Sequence, residues 1–371
     1  MEFKIDREEF AKGLYRAQNI VEKKATMPIL LNVLIEAKGS EISITATDLE
    51  IGFNAFHPAR IISEGTATLL AKKLYEVIKE LPEKEVSVRL KENQWVEVSC
   101  GKSVFNIMGL SAEKFPSLPS YEEEEYFCAE RNTLREMIEK TLFAVSSDDL
   151  RYNLTGIFFI EKEEEGGKWM RMVATDGYRL SIIDRSMKSE IRGLENGILL
   201  PKKGLGELKK LLEEDGEDVW LKVKNNNFII KKDRVVLIMR LLDAEFPDYR
   251  QVIPTQTKKQ IRISRTHILE SLRRVSILSS EKTKGVKFHF SRDLLELSSY
   301  NPELGEAKEE LSIEYKGEEL AIGFNSRFVL EVLNILNSEE VLFCLDDGAS
   351  PGIIRPANDE RHTCVIMPMR V

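Results

Sequence analysis

Cysteine, histidine and long apolar runs are all scarce in this chain, and each shortage removes a class of function. Only four cysteines occur in 371 residues, Cys100, Cys128, Cys344 and Cys364, and none forms a Cys-x-x-Cys pair. That scatter supports neither a zinc ribbon nor a disulfide framework, so they read as buried free thiols. The four histidines, His57, His267, His289 and His362, show no metal-ligand spacing. No phosphate-binding glycine loop, dinucleotide fingerprint or Gly-x-Ser-x-Gly elbow is present. No stretch approaches the ~18 apolar residues of a membrane span. The first ten residues, MEFKIDREEF, carry charge where a secretory leader needs an apolar run. These absences lead us to expect a cytoplasmic protein with no cofactor and no bound metal.

What is present is ordinary in bulk and unusual in arrangement. Hydrophobic residues make up 42% and charged residues 31%, the balance of a globular protein, and the length calls for two or three domains. The net charge of −8 argues against a generally basic nucleic-acid binder. It leaves room for a protein whose positive charge is gathered on one face, because the local field matters more than the sum.

The chain repeats itself three times. Helical periodicity begins at Asp6, Arg131 and Ser264, with Asp6, Asn132 and Ser264 placed as N-caps. A strand-like run follows each helix, from Ile29, Asn153 and Gly285. A second helix then starts near Leu70, Pro201 and Asn325, with Pro201 suited to a first helical turn. Corresponding helices stand 124 to 133 residues apart, the signature of an internal repeat. Alternating segments such as EISITATDLEIGF and DRVVLIMRLL read as antiparallel strands, so each unit is α+β. The acidic runs from Glu122 and Glu161 read as solvated loops.

One stretch invites a catalytic reading: VATDGYRL, Val173–Leu180, with Asp176 at a turn. TATDLEIGF from Thr45 is its counterpart one repeat earlier, and Asn301 stands near the matching place in the third. An Asp or Asn at a turn bonds nearby backbone amides, so the shared feature is first a structural device. On the residues alone, a hydrolase acting on nucleic acid through Asp176 stays open.

The motifs TMPILLNVLIEA, TATDLEI, DLRYNLTGI, VATDGYRL, FPDYR, GFNSRFVLEVL and the terminal VIMPMRV together resemble the bacterial DNA polymerase III beta subunits, the sliding clamps. They run from one end of the chain to the other. The resemblance implies three clamp-fold domains, 1–122, 123–250 and 251–371, and a ring-shaped head-to-tail homodimer. It implies a non-catalytic protein that encircles duplex DNA without reading sequence. Its partners would be the polymerase alpha subunit, the clamp loader and other proteins carrying a clamp-binding peptide. A docking hub of the same fold that never encircles DNA is the competing reading.

Geometry makes a ring plausible. Two helices per repeat over two chains give twelve, and spacing of about 10 Å would line a circle about 38 Å across. Subtracting about 10 Å for helix half-widths leaves about 28 Å, wide enough for a duplex and a water layer.

The resemblance also implies site residues. The peptide pocket would use Leu154, Thr175, Gly177, Tyr178, Arg179, Leu180, Pro247 and Val252, with Asn325 and Phe328 of the third repeat and Val365, Met367, Pro368, Met369 and Arg370 of the tail. Tyr178 stands where many members have histidine. DNA would be faced by Lys12, Arg16, Lys24, Lys72, Lys73, Arg151, Tyr152, Lys202, Lys203 and Lys209. The dimer seam would set Lys102, Phe105 and Ile107 against Ile277, Leu278, Glu303 and Glu306, with Glu309 adding charge.

Overall fold

The computed structural model describes residues 1–21, 27–82, 85–121, 125–164, 167–186, 191–255 and 257–371. Lys24 and the acidic residues 122–124 lie outside the described residues. Among those described, six α-helices occur: α1 (Arg7–Ile20), α2 (Ala71–Glu80), α3 (Arg131–Leu142), α4 (Lys202–Glu213), α5 (Arg265–Ser276) and α6 (Ser326–Ile335). Every strand pairing is antiparallel, and each repeat runs strand, helix, strands, helix, three strands.

Local chemistry explains most helix starts. Asp6 caps α1 by accepting from the amides of Glu8 and Glu9 at 2.8 and 3.2 Å. Phe10, Leu14 and Ala17, three or four residues apart, are fully buried on one face of α1. Gly13 lets that face lie close to the strand Ile51–Pro58, since a Cβ there would sit 2.4 Å from His57 Nε2. Asn325 caps α6 through the Arg327 amide.

Four local expectations are corrected. Asn132 is not a cap, because α3 already begins at Arg131, whose amide is met by Asp218 Oδ1 at 3.3 Å. Ser264, by contrast, does occupy the N-cap position of α5 as expected, although its side chain makes no hydrogen bond there. Pro201 ends the strand Ile198–Pro201, and α4 starts one residue later. The run from Ile29 opens as a 3-10 turn, Pro28–Leu31, before its strand Asn32–Lys38. The acidic run from Glu161 differs too: Glu161–Glu164 continue the strand Gly156–Glu164.

Contacts gather the chain into two compact units, one mainly of Met1–Arg131 and Lys203–Leu241, the other mainly of Asn132–Met187 and Leu242–Val371. The three repeats become two units because each eight-stranded sheet draws strands from two repeats. In the first unit Val235–Arg240 pairs with Ile51–Pro58, setting Ile238 opposite Gly52. In the second, His362–Ile366 pairs with Arg179–Ser186, setting Val365 opposite Leu180. The first unit also holds a five-stranded sheet ending in Ser103–Met108, and the second a four-stranded sheet ending in Gly305–Ser312. The third repeat packs a core of phenylalanines, Phe288, Phe290, Phe324 and Phe343, each fully buried.

Candidate peptide-docking site

The site is built on a hairpin. Strands Gly167–Thr175 and Arg179–Ser186 pair as far as Thr175 opposite Leu180, leaving Asp176, Gly177 and Tyr178 to turn the chain. Asp176 Oδ1 accepts from the amides of Tyr178 and Arg179 at 3.0 and 3.1 Å, and Thr175 Oγ1 accepts from the Gly177 amide at 3.0 Å. Gly177 has φ +85°, a conformation that suits glycine. The first repeat builds the same turn, with Asp48 Oδ1 accepting from Glu50 and Ile51. In the third, Asn301 Oδ1 accepts from Glu303 at 2.9 Å. Asp176 is therefore engaged in the turn, and its second oxygen accepts from Arg179 Nε at 3.1 Å. A hydrolase using it would have no free carboxylate.

Arg179 is buried beside the hairpin, with 7% of it exposed. Its guanidinium pairs with Asp176 and Glu331 and donates to the Phe143 carbonyl at 2.7 Å. It lies over the rings of Phe143 and Phe328, at 5.0 and 4.6 Å from their centroids. Burial pushes the Glu331 carboxyl up, but Arg327 and Arg179 together outweigh it and hold the group below the usual carboxylate range. Lys202 is pulled down from the ordinary lysine range by burial and then by the charge of Arg179.

Beside this strut opens a cavity of about 140 Å³. The structure brings together Leu154, Thr175, Gly177, Arg179, Leu180, Pro247, Val252, Val365 and Met367 around it. A space of about that size accepts one benzene-sized apolar group. Asp248 and Tyr249 also line it and were missed, although both sit inside the FPDYR motif that marks the segment. Tyr178 stands outside the lining, 56% exposed, its ring stacked on Phe328 at 6.3 Å and under the Arg151 guanidinium. Its carbonyl accepts from the Met367 amide at 2.9 Å, fixing the tail against the hairpin. Asn325, Pro368, Met369 and Arg370 do not line the cavity; the Met369 amide bonds to Gly323 and leads the tail past it.

Three family models match the chain in sequence: the DNA polymerase III beta subunit N-terminal domain over 1–119, central domain over 129–248 and C-terminal domain over 250–370. The chain belongs to the bacterial DNA polymerase III beta subunit family. Among its relatives, the beta sliding clamp of Haemophilus influenzae is 34% identical and that of Escherichia coli K12 33%, both matched over the full length of each chain. Among solved structures, the sliding clamp of Bartonella birtlesii bound to griselimycin has a TM-score of 0.96 at 33% identity, covering all of both chains. The Caulobacter crescentus clamp, solved with polyethylene glycol in a putative beta-motif tethering region, has a TM-score of 0.94 at 32%, again over all of both chains. The beta sliding clamp is a processivity factor of replication and is not an enzyme.

The remaining residues named for this clamp fall into two groups. Lys12 and Lys72 are exposed on α1 and α2, Lys73 is exposed but donates to Glu76 Oε2 at 2.6 Å, and Tyr152 is 51% exposed. Arg16, Lys202 and Lys203 are not free cations. Arg16 pairs with Glu214, Lys202 donates to Val145 O and Ser147 Oγ, and Lys203 to Ile20 O and Asp48. Arg151 is likewise engaged, with Asp148 and the Asp176 carbonyl, and Lys209 lies 3.8 Å from Glu213.

The seam residues lie along two unpaired sheet edges and at the C-terminal end of α5. Phe105 (39% exposed) and the less exposed Ile107 sit on the edge strand Ser103–Met108, beside Lys102. Ile277, 73% exposed, and Leu278 follow α5, while Glu303 and Glu306 flank the start of the other edge strand. Glu309 is engaged within the chain, accepting from Ser271 and Arg274.

One buried trio mimics catalytic chemistry. Ser181 Oγ, His362 Nε2 and Cys364 Sγ lie 3.4 to 3.6 Å apart. All three are buried, and Ser181 donates to the Lys140 carbonyl at 2.6 Å. Burial, aided by the charge of Lys140, lowers the imidazole to about 3, and burial raises the thiol to about 12. A neutral, sealed trio joins two strands rather than attacking a substrate. Among the described residues no cluster of three or more His, Cys, Asp or Glu could hold a metal, and no helix is long and apolar enough to cross a membrane.

Proposed function

We propose that the cavity holds one apolar side chain of a partner's short linear peptide, so that the polymerase and other replication proteins are tethered to the clamp there. What carries this reading is the pairing of a leucine-sized apolar cavity with the bare backbone of Gly177 at its mouth. Met367 supplies an adaptable wall. Arg179, already neutralised, fixes the walls rather than meeting the peptide's charge. Tyr178, Phe328, Asn325 and the tail Pro368–Arg370 extend the surface for residues that flank the anchor.

Around this site, three domains, 1–122, 123–250 and 251–371, form one chain of a ring completed by a second copy. The exposed edges Ser103–Met108 and Gly305–Ser312 suit pairing between two copies, since a long unpaired edge is otherwise a hazard. Lys102 would then meet Glu303 and Glu306, setting register and direction. DNA would be faced chiefly by Lys12, Lys72 and Tyr152, with Lys73, Lys24 and Lys209 adding charge. Few free cations suit a ring held by topology, because strong phosphate contacts would slow sliding. The protein would work in the cytoplasm.

Titrating a labelled clamp-binding peptide of the polymerase alpha subunit into the protein tests the pocket. One peptide should bind per chain, and Met367→Lys should weaken it by about tenfold or more. Equal affinity for both proteins would remove the cavity from the account.

A further inference from the structure

The internal repeat duplicates more than the fold: it places a second groove in the first unit, built in the same register as the pocket. Thr47 matches Thr175, its Oγ1 accepting from the Leu49 amide at 3.0 Å as Thr175 Oγ1 does from Gly177. The next strand matches too, since Ile238 stands opposite Gly52 as Val365 stands opposite Leu180. The segment Phe115-Pro116-Ser117-Leu118 runs in the place of Phe246-Pro247-Asp248-Tyr249. Around these parts opens a cavity of about 310 Å³, larger than the pocket itself.

Two differences define what the groove would take. Gly52 replaces a leucine, and the room it leaves is filled by Leu118, whose Cδ2 would lie 2.7 Å from a Cβ at Gly52. The apolar floor is thus supplied by Leu118 packed against Ile238. The wall is also changed, because Arg240 takes the register position of Met367. It is exposed, and its guanidinium has no ion pair or hydrogen bond among the described residues. Leu49 overhangs the groove at φ +77°, 53% exposed, where the pocket has glycine. An exposed leucine held in the left-handed region is a costly feature that packing does not explain.

We propose that this groove is a second docking site, which takes a linear peptide carrying an apolar anchor followed by a carboxylate. The anchor sits on Leu118, which covers the buried Ile238, under the Leu49 side chain, and the carboxylate pairs with Arg240, which shares the lining with one acidic residue, Glu50. Asn226 offers its side-chain amide to the peptide backbone, whereas Asn227 Nδ2 already donates to the Asn225 carbonyl at 2.8 Å. The inference rests on the reading of the pocket only for the kind of ligand.

The test uses the full-length protein with labelled isoleucine, leucine and methionine methyls. The probe is a capped peptide of leucine and phenylalanine followed by two aspartates; a second probe has two lysines instead. In Met367→Lys, the aspartate probe should still shift the Ile238 and Leu118 methyls and saturate at one equivalent per chain. Arg240→Glu, or the lysine probe, should weaken that response by about tenfold while the Met367 methyl of the Arg240→Glu protein responds as before. Silence at Ile238 and Leu118 overturns the proposal whatever Met367 does, and so does equal binding of both probes. A response at Ile238 with none at Met367 would instead sustain this groove and sink the pocket reading.

Discussion

Replacing Arg179 by methionine should loosen the pocket and the second unit together. The guanidinium pairs with two carboxylates, donates to Phe143 O and lies between two rings. Removing one partner of a buried ion pair typically costs about 3–5 kcal/mol. The lower end applies here, because Glu331 keeps Arg327 at 2.8 Å and Asp176 keeps its two turn amides. The Phe143 carbonyl alone loses a donor, worth about 1–3 kcal/mol within that total. A net loss of about 3 kcal/mol should lower the melting temperature of this unit by roughly 6–12 °C. Peptide affinity should fall as well, since Arg179 both lines the cavity and fixes Phe328, on which Tyr178 stacks. Arg179→Lys keeps the charge without the fork and should lose about half as much stability. Calorimetry and peptide titration on the same preparations read both effects. Unchanged melting in Arg179→Met would refute the view of Arg179 as the strut of the site.

Two further outcomes follow from particular side chains. Phe105→Glu with Ile277→Asp should raise the dimer dissociation constant at least about 100-fold, read by sedimentation, because both side chains are exposed, Phe105 on an unpaired edge strand and Ile277 at the end of α5; an unaltered dimer would move the seam elsewhere. His362 is held neutral in the fold down to about 3, whereas an unfolded histidine takes up its proton near pH 6.5. Stability should therefore be full above pH 6.5 and fall as pH drops toward 3, by about 2 kcal/mol between pH 7 and pH 5. His362→Gln should flatten that part of the denaturation profile, and an unchanged slope would count against the sealed trio.

The repeat was legible because it is written in short-range chemistry. Asp48, Asp176 and Asn301 each bond amides two or three residues ahead, so their spacing in sequence is the turn. Helix faces were equally legible, since Phe10, Leu14 and Ala17 recur with the helical period. What stayed hidden depends on distant partners. Asp218 meets the start of α3, so no local cap was needed and Asn132 misled. Glu214 and Asp48 engage Arg16 and Lys203, which from sequence look like free cations. Strand Gly156–Glu164 continues through its acidic end because Arg361 and Lys162 pair with Glu164. The pocket is intermediate: its hairpin wall and tail were readable as motifs, whereas Asp248 and Tyr249 line it only because the segment after Phe246 folds back on the hairpin.

The central claim is that the protein holds DNA by enclosing it. Loading the protein onto nicked circular DNA with its clamp loader, then cutting the circle once, tests this directly. The account predicts retention on the circle and rapid loss from the linear product, largely independent of salt. Equal dissociation from both forms, or continued binding to the linear DNA, would contradict it.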